Sequence, residues 1–161
     1  MCATANDHSD DHLWQLLAEV PDPEIPVLSI VDLGIVRWIR HDPDQLVVGI
    51  APTYTGCPAT EVIASHVVQH LQRNGITATT EAVLSPPWST DWISESGRKK
   101  LHAYGIAPPS LSRRHHDELG IACPRCDSTK TQKTSEFGST PCKASFKCGE
   151  CLEPFEYFKC L

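Results

Sequence analysis

No apolar run in the 161-residue sequence approaches the roughly 18 residues that a membrane span needs. The first residues, Met1-Cys2-Ala3-Thr4-Ala5-Asn6-Asp7-His8, lack the basic start and apolar stretch of a signal peptide, so a cytoplasmic protein is expected. Positive charge is also short: 14 Lys and Arg stand against 20 Asp and Glu, a net charge of −6. Such a balance gives no general attraction to nucleic-acid phosphates. There is no internal repeat. No Ser-His-Asp order, glycine-rich phosphate loop or pair of catalytic carboxylates can be picked out, so no residue is assigned to catalysis and an accessory protein is favoured over a stand-alone enzyme. Hydrophobic residues, at 40%, are too many for a disordered acidic chain and suffice for a modest core.

What the chain has in excess is cysteine. Six of the eight lie from Cys123 onward, whereas all eight histidines lie at or before His116. Two chemistries are joined end to end. Close cysteine pairs in a chain without an export signal point to metal rather than to disulfides.

The first part reads as an α+β domain of helix, two strands, helix, strand, helix. Ser9 is a candidate N-cap, with Asp10 and Asp11 near the positive end of a helix whose buried stripe is Leu13, Leu16, Leu17 and Val20. Asp22 to Pro26 is expected to be extended, because each proline pushes its predecessor out of the helical region. Residues 28–40 and 45–51 read as a hairpin split at Asp42-Pro43-Asp44. Pro58 suits the first position of a second helix, with Val62, Ile63, Val67 and Leu71 inward and Asn74-Gly75 as its stop. Residues 76–84 give a third strand, and Thr90 to Tyr104 a last helix. A short N-terminal stretch, 1–9, is expected to be disordered, and 107–120 reads as a linker.

Cys123-Pro124-Arg125-Cys126 and Cys148-Gly149-Glu150-Cys151, with 21 residues between them, have the spacing of a zinc ribbon over 121–161. Each pair forms a knuckle and a hairpin brings the knuckles together. So short a segment cannot bury enough apolar surface to fold alone. Structural zinc supplies about 10–16 kcal/mol in comparable peptides. Iron–sulfur ligation is the rival, since four thiolates serve either. Phe137 to Thr140 reads as the turn, with Cys142, Ala144 and Phe146 on one face. Cys142 and Cys160 are left over, as small buried side chains or as a second thiol pair for a transient metal. Lys130, Lys133, Lys143 and Lys147 read as a solvated strand edge, a local basic face being the alternative.

Cys57 precedes Pro58 and so takes the expected N-cap of the second helix. Its sulfur would face free backbone N–H groups and the positive helix end, which favours a thiolate, a metal ligand or a nucleophile. The plainer reading is a structural cysteine at a tight turn. Asp22 and Glu24 lie in a proline-braced segment that could be held near this loop, or are simply turn carboxylates. His66 and His70 are four apart on one helix face, a chelating spacing, but no Glu follows His66 to make a zinc-protease pattern. A partly exposed face is the plainer reading there as well.

Asp22-Pro23-Glu24-Ile25-Pro26, Ile30-Val31-Asp32-Leu33-Gly34-Ile35-Val36 and Thr55-Gly56-Cys57-Pro58 together resemble the MIP18 family (domain of unknown function 59), over residues 10–106. The tail segments 137–143 and 153–160 extend the likeness to a family of accessory proteins from bacterial phenylacetate degradation. The resemblance implies a small MIP18-like domain, helices packed on a small β-sheet, followed by a zinc-ribbon β-domain. It also implies an accessory or maturation role in the phenylacetyl-CoA 1,2-epoxidase system, assisting iron or iron–sulfur cluster assembly. The implied site is Cys57 with Asp22 and Glu24, for transient iron or a cluster. Structural zinc is expected at Cys123, Cys126, Cys148 and Cys151. The implied partners are the oxygenase and reductase components, iron–sulfur assembly proteins, and a second copy of the chain as a homodimer. The alternatives are a non-catalytic structural component of the epoxidase, and a nucleic-acid-binding ribbon, which the acidic balance disfavours.

Overall fold

Ser9 is the helix N-cap that the sequence suggests. Its side chain accepts a hydrogen bond from the N–H of His12 and caps α1, Asp10–Ala18. A computed structural model describes residues 9–54, 56–109 and 120–159. The chain divides into two units, Met1–Trp88 and Ser89–Leu161.

In the first unit, β1 (Val36–Asp42) and β2 (Gln45–Ile50) form the expected antiparallel hairpin. Helix α2 (Ala59–Arg73) then returns the chain so that β3 (Ala78–Ala82) lies parallel to β2, in the order β1-β2-β3. The Trp38 indole lies across Gly49, where a Cβ would collide with the ring. Leu13, Leu17, Ile30, Val48, Val67 and Leu71 are buried. Trp88 closes the unit, its Nε1 donating to the carbonyl of Leu33 at 2.9 Å.

Three local expectations differ. Asp22 to Pro26 is a run of bends and turns rather than an extended piece. Asp22 Oδ1 accepts from the N–H groups of Glu24 and Ile25, and Leu28 N–H bonds to Ile25 carbonyl across Pro26. A carboxylate that caps its own following residues outweighs the extended bias of X-Pro. The first strand starts at Val36 rather than near Leu28. The intervening Ser29 and Asp32 side chains and N–H groups bond each other in a closed local turn. Val62, expected inside, is 42% exposed, because α2 turns only Ala59, Ile63, Val67 and Leu71 inward.

The second unit opens with a single turn of 3₁₀ helix, Thr90–Trp92, and then α3, Glu95–Tyr104. The expected continuous helix is broken because Ser94 is itself an N-cap, accepting from Gly97 N–H at 2.9 Å. Gly105 ends α3 in the left-handed region, φ 91°. Strand β4 (Ile106–Ala107) then joins a second sheet of order β4-β7-β6-β5, with β5 (Thr131–Ser135), β6 (Lys143–Cys148) and β7 (Pro154–Phe158). The last helix, grouped above with the first domain, therefore lies in the same unit as the ribbon. Arg98 links it there, donating to the carbonyls of Thr90 and Pro109. Ala144, Phe146, Phe155 and Tyr157 make the ribbon's apolar cluster, with Phe146 stacked on Phe155 at 5.8 Å and edge-on to Tyr157 at 5.7 Å. The stretch expected to be disordered, save Ser9, and most of the expected linker lie outside the described residues.

Candidate metal centre

The two C-x-x-C pairs fold into matching knuckles. In each, the first cysteine's N–H reaches forward to a carbonyl five residues on, Cys123 to Ser128 and Cys148 to Glu153. Its sulfur accepts the N–H two residues on, from Arg125 and Glu150 respectively, both at 3.4 Å. The residue after the second cysteine of each pair turns left-handed, Asp127 at φ 58° and Leu152 at φ 63°. Two such turns aim four sulfurs at one point.

The Sγ atoms of Cys123, Cys126, Cys148 and Cys151 all lie within 4.8 Å of one another. Cys123 and Cys151 are 3.7 Å apart across the knuckles, and Cys126 and Cys148 are 3.6 Å apart. Four thiolates on one tetrahedral ion at about 2.3 Å are about 3.8 Å apart, which the two distances across the knuckles match. Thiolates on different irons of a cluster would have to stand further apart. Charge is unevenly spread among the thiols. The N–H groups of Cys151 and Glu150, with the thiols of Cys126 and Cys151, outweigh burial and bring Cys148 down to about 6. Cys151 receives the N–H of Glu153, yet burial and the neighbouring sulfurs push it up to about 12. All four can be thiolates together only with a cation at their centre.

Cys57 lies on the other unit, buried, just before α2. Pro58 is already helical (φ −67°, ψ −21°) and takes the N-cap position itself, with no side-chain cap bond, so Cys57 stands one residue outside the expected place. The Thr53 hydroxyl is 4.0 Å from its sulfur. Asp22 is buried and committed to the turn described above, while Glu24 is half-buried. Among the described residues the four tail thiols are the only group of three or more potential ligands gathered tightly enough for one ion. Cys57, Asp22 and Glu24 are not brought together in that way.

A profile described as the PaaD zinc beta ribbon domain matches residues 107–159, and one described as iron–sulfur cluster assembly protein matches residues 10–81. The chain is 46% identical over 151 residues to a protein of Escherichia coli (strain K12) named as the D component of 1,2-phenylacetyl-CoA epoxidase, covering 92% of each chain. It belongs to the PaaD family. This PaaD-family chain is also similar over part of its length to the crystal structure of a domain of unknown function 59 from Bacillus anthracis. That likeness has 30% identity and a TM-score of 0.52, covering 56% of this chain and 89% of that one.

Within this PaaD-family chain the remaining tail residues sort by burial. Cys142 is buried, its sulfur 3.1 Å from the Thr140 hydroxyl; Cys160 lies outside the described residues. Lys130, Lys133 and Lys147 are exposed, as expected of a solvated edge, with Lys130 paired to Glu150 and Lys133 to Glu136. Lys143 is not at a solvated edge at all. It is 3% exposed, its Nζ 2.8 Å from Glu156 and 2.6 Å from the Ser139 hydroxyl. Sequence reasoning also missed the sulfur-binding N–H groups of Arg125 and Glu150. Backbone donors carry no residue signal, and only the C-x-x-C spacing hints at them.

Proposed function

We propose that the chain is a maturation factor of the phenylacetyl-CoA epoxidase system, acting in iron or iron–sulfur cluster assembly of the oxygenase or its reductase. The observation that carries this reading is the pairing in one chain of an iron–sulfur assembly domain with a PaaD-family ribbon. The four ribbon thiols hold zinc as a structural ion, and the sulfur spacings of 3.7 and 3.6 Å across the knuckles, with all four sulfurs within 4.8 Å, support one ion rather than a cluster. Cys57, with Asp22 and Glu24 of the same unit, handles the cargo. Soft thiolate sulfur binds iron well and exchanges it with neighbouring thiols, while the ribbon docks the client. The protein works in the cytoplasm; no helix among the described residues is long and apolar enough to cross a membrane.

The test is Cys57→Ser, produced beside the epoxidase components. Expected are unchanged folding, an unchanged zinc-to-protein ratio near one, and a several-fold fall in iron or cluster occupancy of the client. Full client occupancy beside the variant would remove Cys57 from this role. A structural component of the epoxidase is the second reading, favoured by the name of the relative. It predicts that fully metallated epoxidase loses turnover when the chain is omitted, whereas a maturation factor can be left out once loading is complete.

A further inference from the structure

Helix α2 carries a face that the maturation reading leaves unused. His66 and His70 lie one turn apart on it, and Glu19, which caps the end of α1, meets His70 across a short gap. His70 Nε2 is 3.2 Å from Glu19 Oε2. That nitrogen is buried and makes no aligned hydrogen bond, so the Glu19 carboxylate meets it as an ion-pair partner. Ligand atoms held about 2.1 Å from one ion stand about 3.0–3.4 Å apart, the separation seen here. The pair opens into a cleft of about 230 Å³ with Val20 and Pro21 as an apolar wall and His66 and Arg73 at the rim. Gln69, also at the cleft, is turned to its own helix, its Nε2 donating to Ser65 Oγ at 2.9 Å.

We propose that Glu19, His66 and His70 bind one divalent transition-metal ion at a site separate from the four ribbon thiols and independent of the role given to Cys57. Two imidazoles and one carboxylate are the donor set for borderline ions such as Zn²⁺, Co²⁺, Ni²⁺ and Fe²⁺, and they leave coordination positions for water. His66 is exposed, and i, i+4 spacing puts its Cβ about 6 Å from that of His70. As they stand the three ligand atoms are not gathered as the ribbon thiols are, and the site forms by a rotamer change that brings exposed His66 onto an ion already held by Glu19 and His70. One carboxylate, with Arg73 nearby, makes this a site of moderate affinity, and the ion it holds is exchangeable.

The experiment titrates Co²⁺ into the full-length protein with its ribbon metal in place, following the histidine rings by long-range ¹H–¹⁵N spectra. Expected is one further equivalent that broadens the rings of His66 and His70. Its affinity falls about tenfold or more in His66→Gln and in Glu19→Gln, with thermal midpoints unchanged because both side chains are exposed. Any of four results overturns the site: no uptake up to millimolar Co²⁺, equal uptake by the double variant, broadening only of other histidines such as His115 and His116, or uptake wholly accounted for by the thiolate-to-cobalt absorption of ribbon exchange.

Discussion

A lysine ammonium shielded from water is tolerable only when its donors are met, and Lys143 meets Glu156 and Ser139. Burial pushes the Glu156 carboxyl up, but hydrogen bonds from the Lys143 ammonium and from the Ser139 N–H and hydroxyl outweigh it, so the carboxyl sits below its ordinary value of 4.5. A carboxylate lowered on folding adds stability that is fully present above its unfolded value and is lost only as pH falls through the folded one. Glu156→Gln leaves the ammonium buried and unpaired, and costs about 3 kcal/mol in urea unfolding at pH 7. That gap stays flat down to pH 5.5, above the ordinary carboxylate value. A gap already shrinking by pH 5.5 would mean that the carboxyl is raised, not lowered. Lys143→Met costs less, about 1 kcal/mol, because Glu156 keeps its Ser139 donors and is partly solvated.

Among the elements, the knuckles are the most sharply specified, and one residue in them works against its own geometry. Leu152 holds φ 63° with its side chain 64% exposed, a conformation that costs a β-carbon-bearing residue about 1 kcal/mol or more. Leu152→Gly is expected to raise the thermal midpoint of the metal-loaded ribbon, and Leu152→Val to lower it, as read by scanning calorimetry. C-x-x-C spacing made the knuckles legible in the sequence, and Ser9 made the start of α1 legible. Side chains that bond their own neighbours were harder to read. Asp22, the Ser29 and Asp32 pair, and Ser94 each redirected a segment that proline rules and apolar runs had drawn as extended, strand or helix. Lys143 was misread because alternation places its neighbours Cys142 and Ala144 inward, and nothing local reveals that Glu156 waits across the sheet. The gathering of the four tail thiols needed only spacing; whether Asp22 and Glu24 face Cys57 depended on the path of a turn.

For the whole molecule, the question is which contacts hold each unit without the other. The second unit's apolar cluster is small, and Cys123 and Cys148 belong both to it and to the metal centre. Metal binding worth about 10–16 kcal/mol is as large as the whole net stability of a domain, about 5–15 kcal/mol, so chelation or Cys148→Ser should unfold this unit. The first unit has its own core from Leu13 to Leu71, closed by the Trp88 indole on the Leu33 carbonyl. It should survive the loss. A fragment ending at residue 88 is therefore expected to melt cooperatively and as high as one ending at residue 107, because α3 and β4 belong with the ribbon. A fragment ending at residue 82 loses Trp88 and should melt several degrees lower, by about 2–4 kcal/mol for an aromatic side chain and its buried hydrogen bond. If instead the fragment ending at 88 is unfolded while that ending at 107 folds, α3 is part of the first unit's core and the division lies after it. Far-ultraviolet circular dichroism of the three fragments decides between these outcomes, since α1 and α2 supply the helical signal in each.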